Sequence, residues 1–322
     1  MGTVNIRVLI TGGMGYLGGR LAQHLCKSGH SVFVGTRRAI DSPEWLPNAE
    51  MRQINWHDPD SLLRACKGVD TIIQAAGMNA QDCVADPVAA LEFNGVGTAR
   101  LVDAAIRTKV KQFIYISTAH VYASPLAGEI TEDTHPRNLH PYATSHLAGE
   151  HAVLFAAKQQ GLNGLIVRLS NAIGPPANPS ANCWMLLFND LCLQAVRQKQ
   201  LSLSSDGTAQ RDFLPISDIC SSLNYLISSP EHNVASKILN LGSEVSISIM
   251  ESANKIAERC DAILGFRPKI IRQPTTNHLA IPVKIKYRCT RIKDLGVCLG
   301  NNINEEIDNT LIFCNENKYL IP

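Results

Sequence analysis

The feature that most constrains the fold is a glycine cluster between an apolar run and an amphipathic one. Residues 4–10 are mostly β-branched and apolar, which predicts a buried strand, and the helical periodicity of 17–28 stops at Gly29. Between the two runs stands T-G-G-M-G-Y-L-G at 11–18. A glycine turn that joins a first strand to a first helix is typical of dinucleotide-binding α/β proteins.

Three glycines of this turn have predicted tasks. Gly12 permits the tight turn, Gly15 lets the backbone approach a pyrophosphate, and Gly18 allows close packing of helix on strand. The helix that starts at Tyr16 and Leu17 offers free N–H groups and a partial positive charge to phosphates. We therefore predict a dinucleotide site at these five residues. The alternative is a glycine-rich turn without a ligand.

Strands and helices alternate along the first half of the chain. Apolar runs predict strands at 31–35, 69–74, 112–117 and 165–169. Helical periodicity predicts helices at 62–67, 87–109 and 142–160. Alternating β and α elements imply a parallel sheet with helices on both faces. The predicted fold class is α/β, a Rossmann-type doubly wound parallel sheet with a smaller C-terminal substrate-binding lobe.

The second half of the chain is less regular. Four patterns follow the last of these strands, namely a loop at 171–182, a helix at 184–198, an extended and then helical segment at 210–219 and a short strand at 238–241. We assign 1–170 to a dinucleotide-binding Rossmann domain, which the chain rejoins by about 210–245. Residues 171–209 and 246–322 are assigned to the smaller lobe.

Composition excludes several classes of function. With 45% hydrophobic and 18% charged residues among 322, the chain has the make-up of a globular protein. The formal net charge of +2 gives no electrostatic signature for nucleic acid or an anionic membrane. No apolar run reaches the roughly 18 residues of a membrane span. The ten cysteines form no C-x-x-C pair, so we expect a cytoplasmic protein with reduced thiols and no metal site.

The end of the second predicted strand bears on the choice of dinucleotide. An acidic residue there would bind the ribose 2′-hydroxyl of NAD, but this chain continues with Thr36, Arg37 and Arg38. Guanidinium groups suit the 2′-phosphate of NADP through bidentate, charge-assisted bonds. We therefore predict that NADP(H) is favoured over NAD(H). The alternative is a pair of solvated surface arginines.

Further motifs follow the glycine turn along the chain. They are Asp58, Q-A-A-G at 74–77, N-G-V-G-T at 94–98, I-S-T-A-H-V-Y at 116–122, Y-A-T-S-H-L-A-G-E at 142–150, R-L-S-N-A-I-G-P at 168–175 and R-D-F-L-P-I-S-D at 211–218. Together with the glycine turn, they resemble the extended short-chain dehydrogenase/reductases of the NAD(P)-dependent nucleotide-sugar epimerase/dehydratase group. The resemblance covers residues 4–245 and is loose beyond them.

The resemblance implies a role for several residues. Tyr142 would be the acid/base that exchanges a proton with a sugar hydroxyl or ketone, and Thr118 would hydrogen-bond the reacting oxygen. The residues that would complete the sites are Asp58, Ala75, Ala76 and Asn94 for the cofactor, and His120, Asn171 and Arg211 for the nucleotide sugar. For Arg211, a salt bridge to Asp212 or Asp218 is the alternative.

One catalytic position departs from the family pattern. The family has a lysine four residues after the tyrosine, on the same helix face, where this chain has His146. A lysine is a cation that lowers the tyrosine pKa, whereas imidazole has an unperturbed pKa of about 6.5 and is mostly neutral at pH 7. Three outcomes are open: an active enzyme with an acid-shifted pH profile, an active but slow enzyme, or an inactive protein retained for binding.

Two functions of different classes remain. The first is an NAD(P)-dependent oxidoreductase or epimerase that performs 4-keto reduction or 4-epimerisation on a nucleotide-activated sugar. Dehydration is disfavoured because Ala119 and His120, rather than an acidic pair, follow Thr118. The second is a non-catalytic dinucleotide-binding sensor or scaffold on the same fold. By resemblance, the helices at 87–109 and 142–160 would pack against a second copy in a homodimer.

Overall fold

The computed structural model describes residues 5–229, 237–272 and 284–322. The strands in these ranges are β1 (Arg7–Thr11), β2 (Ser31–Thr36), β3 (Ala49–Gln53), β4 (Thr71–Gln74), β5 (Gln112–Thr118), β6 (Gly128–Ile130), β7 (Asn163–Leu169), β8 (Asn171–Ile173), β9 (Gln200–Leu203), β10 (Gln210–Pro215), β11 (Ile238–Leu241), β12 (Ser246–Ser248), β13 (Lys269–Arg272) and β14 (Ile285–Tyr287). The α-helices are α1 (Tyr16–Lys27), α2 (Pro59–Cys66), α3 (Ala80–Ala85), α4 (Pro87–Ala90), α5 (Thr98–Arg107), α6 (Pro141–Gln159), α7 (Leu187–Gln198), α8 (Ile216–Ser228), α9 (Ile249–Leu264), α10 (Thr290–Asp294) and α11 (Ile303–Glu316).

Seven strands form one sheet in the order β11-β7-β5-β4-β1-β2-β3. All six pairings in this sheet are parallel. The chain builds outward from β1 in both directions, and helices connect its successive strands except between β2 and β3, where residues 37–48 form a loop. This is the doubly wound arrangement. The predicted α/β fold class is therefore confirmed.

The register of the sheet sets the position of the candidate site. Thr11, at the end of β1, lies opposite Gly35 of β2 and Gln74 of β4. On the other side of β4, β5 extends to Thr118, which lies opposite Leu169 of β7. The carboxyl ends of these strands therefore share one edge of the sheet, which is where ligands bind in open α/β sheets.

Alternating residues of β1 enter two different cores. Val8 and Ile10 pack in one apolar cluster with Leu21 of α1, whereas Leu9 packs in a second cluster with Leu101 of α5. All five side chains are fully buried. Because both faces of the sheet are covered, the strand is continuously apolar instead of alternating. Burial of each such side chain contributes about 1.5–3 kcal/mol to folding.

A third apolar cluster lies among α7, α9 and α11, and it includes Phe188, Ile256 and Leu311. Phe213 of β10 meets Phe188 edge to face, with ring centroids 4.7 Å apart. Short strands pair beside the main sheet, β8 and β12 with β10, β9 with β13, and β6 with β14. The third cluster supplies the core that a separate lobe requires, while the domain boundaries given above stay a prediction.

Two predicted elements take a different form. The segment 171–182, predicted as a loop, begins with β8, because Asn171–Ile173 pairs in parallel with the end of β10. The helix predicted at 87–109 is divided, since Leu91–Gly97 is π-helical and separates α4 from α5. Two glycines within that segment, Gly95 and Gly97, do not interrupt the helical periodicity, so the sequence does not mark the division.

Other elements differ in extent or were not predicted. The first strand is Arg7–Thr11, and residue 4 lies outside the described residues. The helix predicted from residue 184 begins at Leu187. The sequence A-E-M-R-Q of β3 has no apolar period, and the strand forms because its backbone pairs with β2. Helices α9 and α11 were not predicted either.

No helix in the described ranges is long and apolar enough to cross a lipid bilayer. The same ranges contain no group of three His, Cys, Asp or Glu side chains placed to hold a metal ion. All ten cysteines are free thiols.

Candidate active site

The glycine turn between β1 and α1 is tightly packed. Gly12 has φ +70°, and a Cβ on it would lie 2.8 Å from backbone atoms of Ala76. The N–H of Gly15 donates to the carbonyl of Gly12 over 2.8 Å, and a Cβ on Gly18 would overlap that same carbonyl. No side chain caps the N-terminus of α1. The turn thus leaves helical N–H groups available to an anion, as the sequence predicts for a dinucleotide site.

The side chain at the start of α1 is bound to the segment that follows β8. The Tyr16 hydroxyl donates to the carbonyl of Gly174 over 2.9 Å. One turn later, Arg20 donates to the carbonyl of Pro175 over 3.0 Å. The predicted contribution of Tyr16 and Leu17 to cofactor binding therefore falls to their backbone N–H groups, and the Tyr16 side chain holds the segment that follows β8.

The segment after β4 lies between the glycine turn and α6. The N–H of Ala76 donates to the Thr11 hydroxyl over 3.3 Å. Ala75 contributes to the same wall, since a Cβ on Gly12 would also lie 2.9 Å from its carbonyl carbon. A Cβ on Gly77 would lie 3.7 Å from the imidazole of His146. Residues 75–77 therefore bring the predicted cofactor turn and the predicted catalytic helix together.

Asn94 links the segment after β4 to α6 through hydrogen bonds. Its amide group donates to the Ser145 hydroxyl over 3.0 Å, and its side-chain oxygen accepts from the N–H of Met78 over 2.9 Å. Asn94 is fully buried within the π-helical segment. Its observed contacts are thus structural, and Ser145, which sequence reasoning missed, is its partner on α6.

The predicted adenosine end of the site lies after β2. Arg37 and Arg38 are exposed, and among the described residues neither guanidinium makes an ion pair. Thr36 is buried and its hydroxyl donates to the Arg38 carbonyl. A surface cavity of about 310 Å³ lies here, lined in part by Thr36, Arg38 and Asp41. The arginines are therefore placed at a strand end with open space beside them.

Asp58 has a helix-capping role. Its carboxylate accepts from the N–H of Asp60 over 3.0 Å at the start of α2, and it lies 3.5 Å from the Arg64 guanidinium. These contacts use part of its hydrogen-bonding capacity, and its side chain remains 41% exposed. Its predicted contact with the cofactor stays a prediction.

Tyr142 and Thr118 meet where β5 ends and α6 begins. Pro141 occupies the first position of α6, and the His140 ring accepts from the N–H of Tyr142 over 3.2 Å, which fixes the first turn. Burial raises the pKa of the Tyr142 phenol more than its hydrogen bond with Thr118 lowers it. The phenol is therefore protonated at neutral pH, and the structure brings together the two residues that the motifs predict as a pair.

His146 lies one helical turn after Tyr142, as its spacing predicts. The two rings are edge to face, with centroids 4.6 Å apart. His146 is 7% exposed, and burial lowers the pKa of its imidazole to about 4. The imidazole is therefore neutral at pH 7, so the position that holds a lysine in the resembled family carries no positive charge here.

A buried ion pair lies behind the catalytic helix. Arg168 of β7 forms two hydrogen bonds to Glu150 of α6, over 2.6 and 2.9 Å, and the Ser117 hydroxyl donates to the same carboxylate over 2.5 Å. Both charged side chains are less than 5% exposed. Glu150 and Arg168 belong to the sequence motifs, but their spacing along the chain gave no sign that they pair.

The three predicted substrate residues lie together next to Thr118, whose hydroxyl accepts from the N–H of His120 over 3.2 Å. The side chain of Asn171 hydrogen-bonds His120 and donates to the Asp212 carbonyl over 2.9 Å. Burial lowers the pKa of His120, and the positive charge of Arg211 lowers it further. The Arg211 side chain is exposed. A cation, an amide and a neutral imidazole thus converge beside Thr118.

The alternative for Arg211, a salt bridge to a neighbouring aspartate, does not occur among the described residues. Asp212 accepts from the N–H and hydroxyl of Ser243 over 2.9 and 3.1 Å. Asp218 accepts from the N–H groups of Gly300 and Asn301 over 2.9 and 2.8 Å. Both carboxylates therefore bind other loop residues, mainly through backbone N–H groups. The Arg211 guanidinium is left for another partner.

Comparison with known proteins agrees with this geometry. The model of the NAD-dependent epimerase/dehydratase family matches residues 8–242. This chain belongs to that family. The resemblance that the sequence motifs indicate is therefore confirmed. The matched range extends from β1 to β11 and contains every residue of the predicted site.

Individual members of the epimerase/dehydratase family are distant in sequence and close in fold. The UDP-glucose 4-epimerase of Lactobacillus helveticus is 26% identical over 275 residues, which cover 78% of this chain and 82% of that protein. Epimerase Mth375 of Methanothermobacter thermautotrophicus has a TM-score of 0.83 at 22% identity, and the match covers 99% of this chain and 95% of Mth375. MoeE5, solved with UDP-glucose and NAD, has a TM-score of 0.76 at 23% identity, and the match covers 97% of this chain and 99% of MoeE5. These structures establish the shared fold.

Proposed function

We propose that this protein is an NAD(P)-dependent oxidoreductase or epimerase that performs 4-keto reduction or 4-epimerisation on a nucleotide-activated sugar, with Tyr142 as the acid/base. The observation that carries the proposal is the convergence of three groups of residues. Tyr142 hydrogen-bonds Thr118. Residues 75–77 contact both the glycine turn and His146. His120 is next to Thr118 and interacts with Asn171 and Arg211.

The glycine turn fits a dinucleotide. A Cβ at Gly12 or Gly18 would overlap backbone atoms, and the uncapped α1 N-terminus offers N–H groups to a pyrophosphate. When bound, a nicotinamide cofactor supplies hydride transfer to or from the substrate carbon. The protein's own part is to hold the reacting oxygen at Thr118 and to move its proton at the Tyr142 hydroxyl.

The protonation states favour the reducing direction. With burial raising its pKa and a neutral imidazole in place of a lysine, Tyr142 carries its proton at neutral pH. A protonated phenol can donate to the oxygen of a ketone as that oxygen gains negative charge. Removal of a proton from a sugar alcohol would need the phenolate, which becomes available only at higher pH. Among the two proposed reactions, 4-keto reduction is the better match.

We also propose NADP(H) as the preferred cofactor. Arg37 and Arg38 are exposed, without ion pairs in the described part of the chain, and stand at the end of β2. A 2′-phosphate placed there would receive two charge-assisted contacts. MoeE5 is solved with NAD, so relatives alone do not decide this choice.

The substrate proposal rests on Arg211. Its guanidinium is exposed beside the buried His120, and its neighbours Asp212 and Asp218 are occupied by other donors. A sugar diphosphate presents the charge that such a guanidinium binds. MoeE5 is solved with UDP-glucose, which is a substrate of this chemical class.

We propose that the protein acts in the cytoplasm as a homodimer. Val88 of α4 is 75% exposed, Leu91 is 47% exposed and Phe155 of α6 is 62% exposed. Helix α6 contacts both α4 and the π-helical segment, so these large apolar side chains belong to neighbouring helices. A second copy would remove this apolar surface from water. Sedimentation velocity of the wild type and a Phe155→Glu variant tests this.

A second candidate function is dinucleotide binding without catalysis. The neutral His146 favours it, because Tyr142 then lacks the cation that would stabilise its phenolate. The experiment that separates the two candidates measures binding and turnover on the same protein. NADH and NADPH titrations come first, followed by turnover with a panel of nucleotide 4-ketosugars and nucleotide sugars. Binding without turnover on the whole panel would favour the sensor or scaffold.

A further inference from the structure

Glu306 of α11 is an acidic side chain in the protein interior, 2% exposed. One oxygen of its carboxyl group, Oε1, accepts from the N–H of Ser217 at the start of α8 over 3.0 Å. The other oxygen, Oε2, is buried as well and has no hydrogen-bond partner in the described part of the chain. Burial of a polar atom without a partner costs free energy. Stability alone therefore does not explain an acidic residue at this place.

The unpartnered oxygen lies against the backbone of Gly174, which follows β8. Gly174 has φ +135°, and a Cβ on it would lie 2.5 Å from Oε2 of Glu306. Only glycine accepts this backbone conformation and leaves room for the oxygen at the same time. The side chain of Glu306 thus supports the Gly174 backbone directly.

The carbonyl of Gly174 is held by two further elements. It accepts from the Tyr16 hydroxyl of α1 over 2.9 Å and from the side-chain amide of Asn189 of α7 over 3.3 Å. A carbonyl oxygen has two lone pairs, and both are engaged here. Tyr16 is the first residue of α1, whose uncapped N-terminus is the predicted pyrophosphate site. The position of Gly174 therefore bears on the start of that helix.

The junction between α8 and α11 keeps Glu306 in place. Asp218, in the first turn of α8, accepts from the N–H groups of Gly300 and Asn301, which lie just before α11. Glu306 makes the reverse connection, from α11 to Ser217 of α8. Because each helix start is bound by an acidic side chain of the other, the carboxyl group of Glu306 has a fixed position.

We infer that Glu306 is a positioning residue for the dinucleotide site. Its carboxyl group holds Gly174 where the carbonyl of that glycine anchors Tyr16 and with it the first turn of α1. A helix of the predicted smaller lobe thereby sets the affinity of the pyrophosphate site. NADH and NADPH share the pyrophosphate, so both should be affected equally. This consequence for affinity rests on the proposed function.

Titrations of the full chain with NADH and NADPH test the consequence. Glu306→Ala removes the support of Gly174, and both affinities should fall by about two- to tenfold, the range that loss of one neutral hydrogen bond produces. Glu306→Gln keeps an oxygen for Ser217 and the same shape against Gly174, so it should retain the wild-type affinity. Glu305→Ala, at the exposed neighbouring position, is the matched control. Lower stability with unchanged affinity in Glu306→Ala would mean a purely structural role and would overturn the inference.

A double-mutant cycle tests the route through Gly174. Tyr16→Phe removes the hydroxyl that binds Gly174, so it should weaken binding by itself, and Glu306→Ala added to it should weaken binding no further. Additive losses would contradict this route. If Glu306→Ala does not fold, Glu306→Asp takes its place in both experiments, because the shorter side chain keeps the carboxyl group but does not span from α11 to both Ser217 and Gly174.

Hydrogen exchange without ligand separates this inference from the proposed function. The N–H of Gly19 donates to the carbonyl of Gly15 over 3.0 Å in the first turn of α1. Exchange of this amide should be about two- to tenfold faster in Glu306→Ala than in the wild type or in Glu305→Ala. Equal exchange rates in all three proteins would refute the positioning role, whatever the protein binds. Faster exchange in a protein that binds neither dinucleotide would support the positioning role and refute the proposed function instead.

Discussion

The glycine turn and the first two turns of α6 face each other across residues 75–77, but they are built in different ways. The turn depends on backbone: positive φ at Gly12, free helical N–H groups and the absence of a Cβ at Gly18. The helix depends on side chains, since burial sets the pKa values of Tyr142 and His146 and His146 contacts Tyr115 of β5. A backbone site tolerates no local change, whereas a side-chain site can exchange one residue if its neighbours compensate.

The largest effect on turnover is expected from a substitution in α6, the part of the candidate site that depends on side chains. Tyr142→Phe removes the hydroxyl that we propose moves the proton, and turnover should fall by about 10²–10⁴-fold, which is the usual contribution of a positioned acid or base. Cofactor binding, measured by fluorescence titration, should remain, because the glycine turn is untouched. Turnover close to that of the wild type would show that another group moves the proton.

The contribution of His146 in α6 to the stability of the protein should depend on pH. The pKa of His146 is about 4 in the folded protein, below its ordinary value of 6.5. The unfolded chain therefore binds the proton more readily, and the stability due to this residue is complete above pH 6.5 and lost as pH falls towards 4. A shift of this size corresponds to about 3 kcal/mol. Urea unfolding at both pH values should show a smaller loss in His146→Gln than in the wild type.

The glycine turn, which depends on backbone geometry, can be tested with substitutions at two matched glycines. Gly12→Ala combines an unfavourable φ of +70° with a Cβ 2.8 Å from Ala76, and should reduce the free energy of unfolding by about 2 kcal/mol or more and weaken dinucleotide binding. Gly161 has φ +71° but open space around its Cβ. Gly161→Ala should therefore cost about 1 kcal/mol through φ alone. Equal losses of stability would show that close packing at the turn is unimportant.

The smallest effect concerns the adenosine end. Replacing both Arg37 and Arg38 with Ser should weaken NADPH binding by about tenfold or more, since hydrogen bonds to charged groups contribute about 1.5–3 kcal/mol. NADH binding should change little, because it lacks the 2′-phosphate. The double variant Arg107→Ser/Arg267→Ser, at two other exposed arginines, removes the same two charges and is the control for net charge. Equal weakening for the two cofactors would remove the basis for the NADP preference.

The two halves also differ in how far the sequence predicts them. The spacing of Gly12, Gly15 and Gly18 specifies the turn, because the stereochemistry that requires glycine is local. The pairing of Tyr142 with Thr118 followed from the motifs that carry the family resemblance. The order of the parallel strands followed from the alternation of elements, while β3 and β8 were missed because backbone pairing, rather than an apolar period, defines them.

What the sequence did not reveal are contacts between distant residues. Tyr115 lies 31 positions before His146, and Asp212 is engaged by Ser243, 31 positions later. The state of His146 depends on burial as well, which periodicity alone does not measure.

The buried pair of Glu150 and Arg168 limits how this protein can change over evolutionary time. Loss of either partner alone leaves a charge without compensation in the interior, at a cost of about 3–5 kcal/mol, whereas apolar replacement of both together can be nearly neutral. Single substitutions at either position are therefore selected against, and a descendant without the pair has to acquire two changes almost at once. Position 146 is under no such restriction, so α6 could exchange the residue there while Glu150, one turn further on, stayed the same.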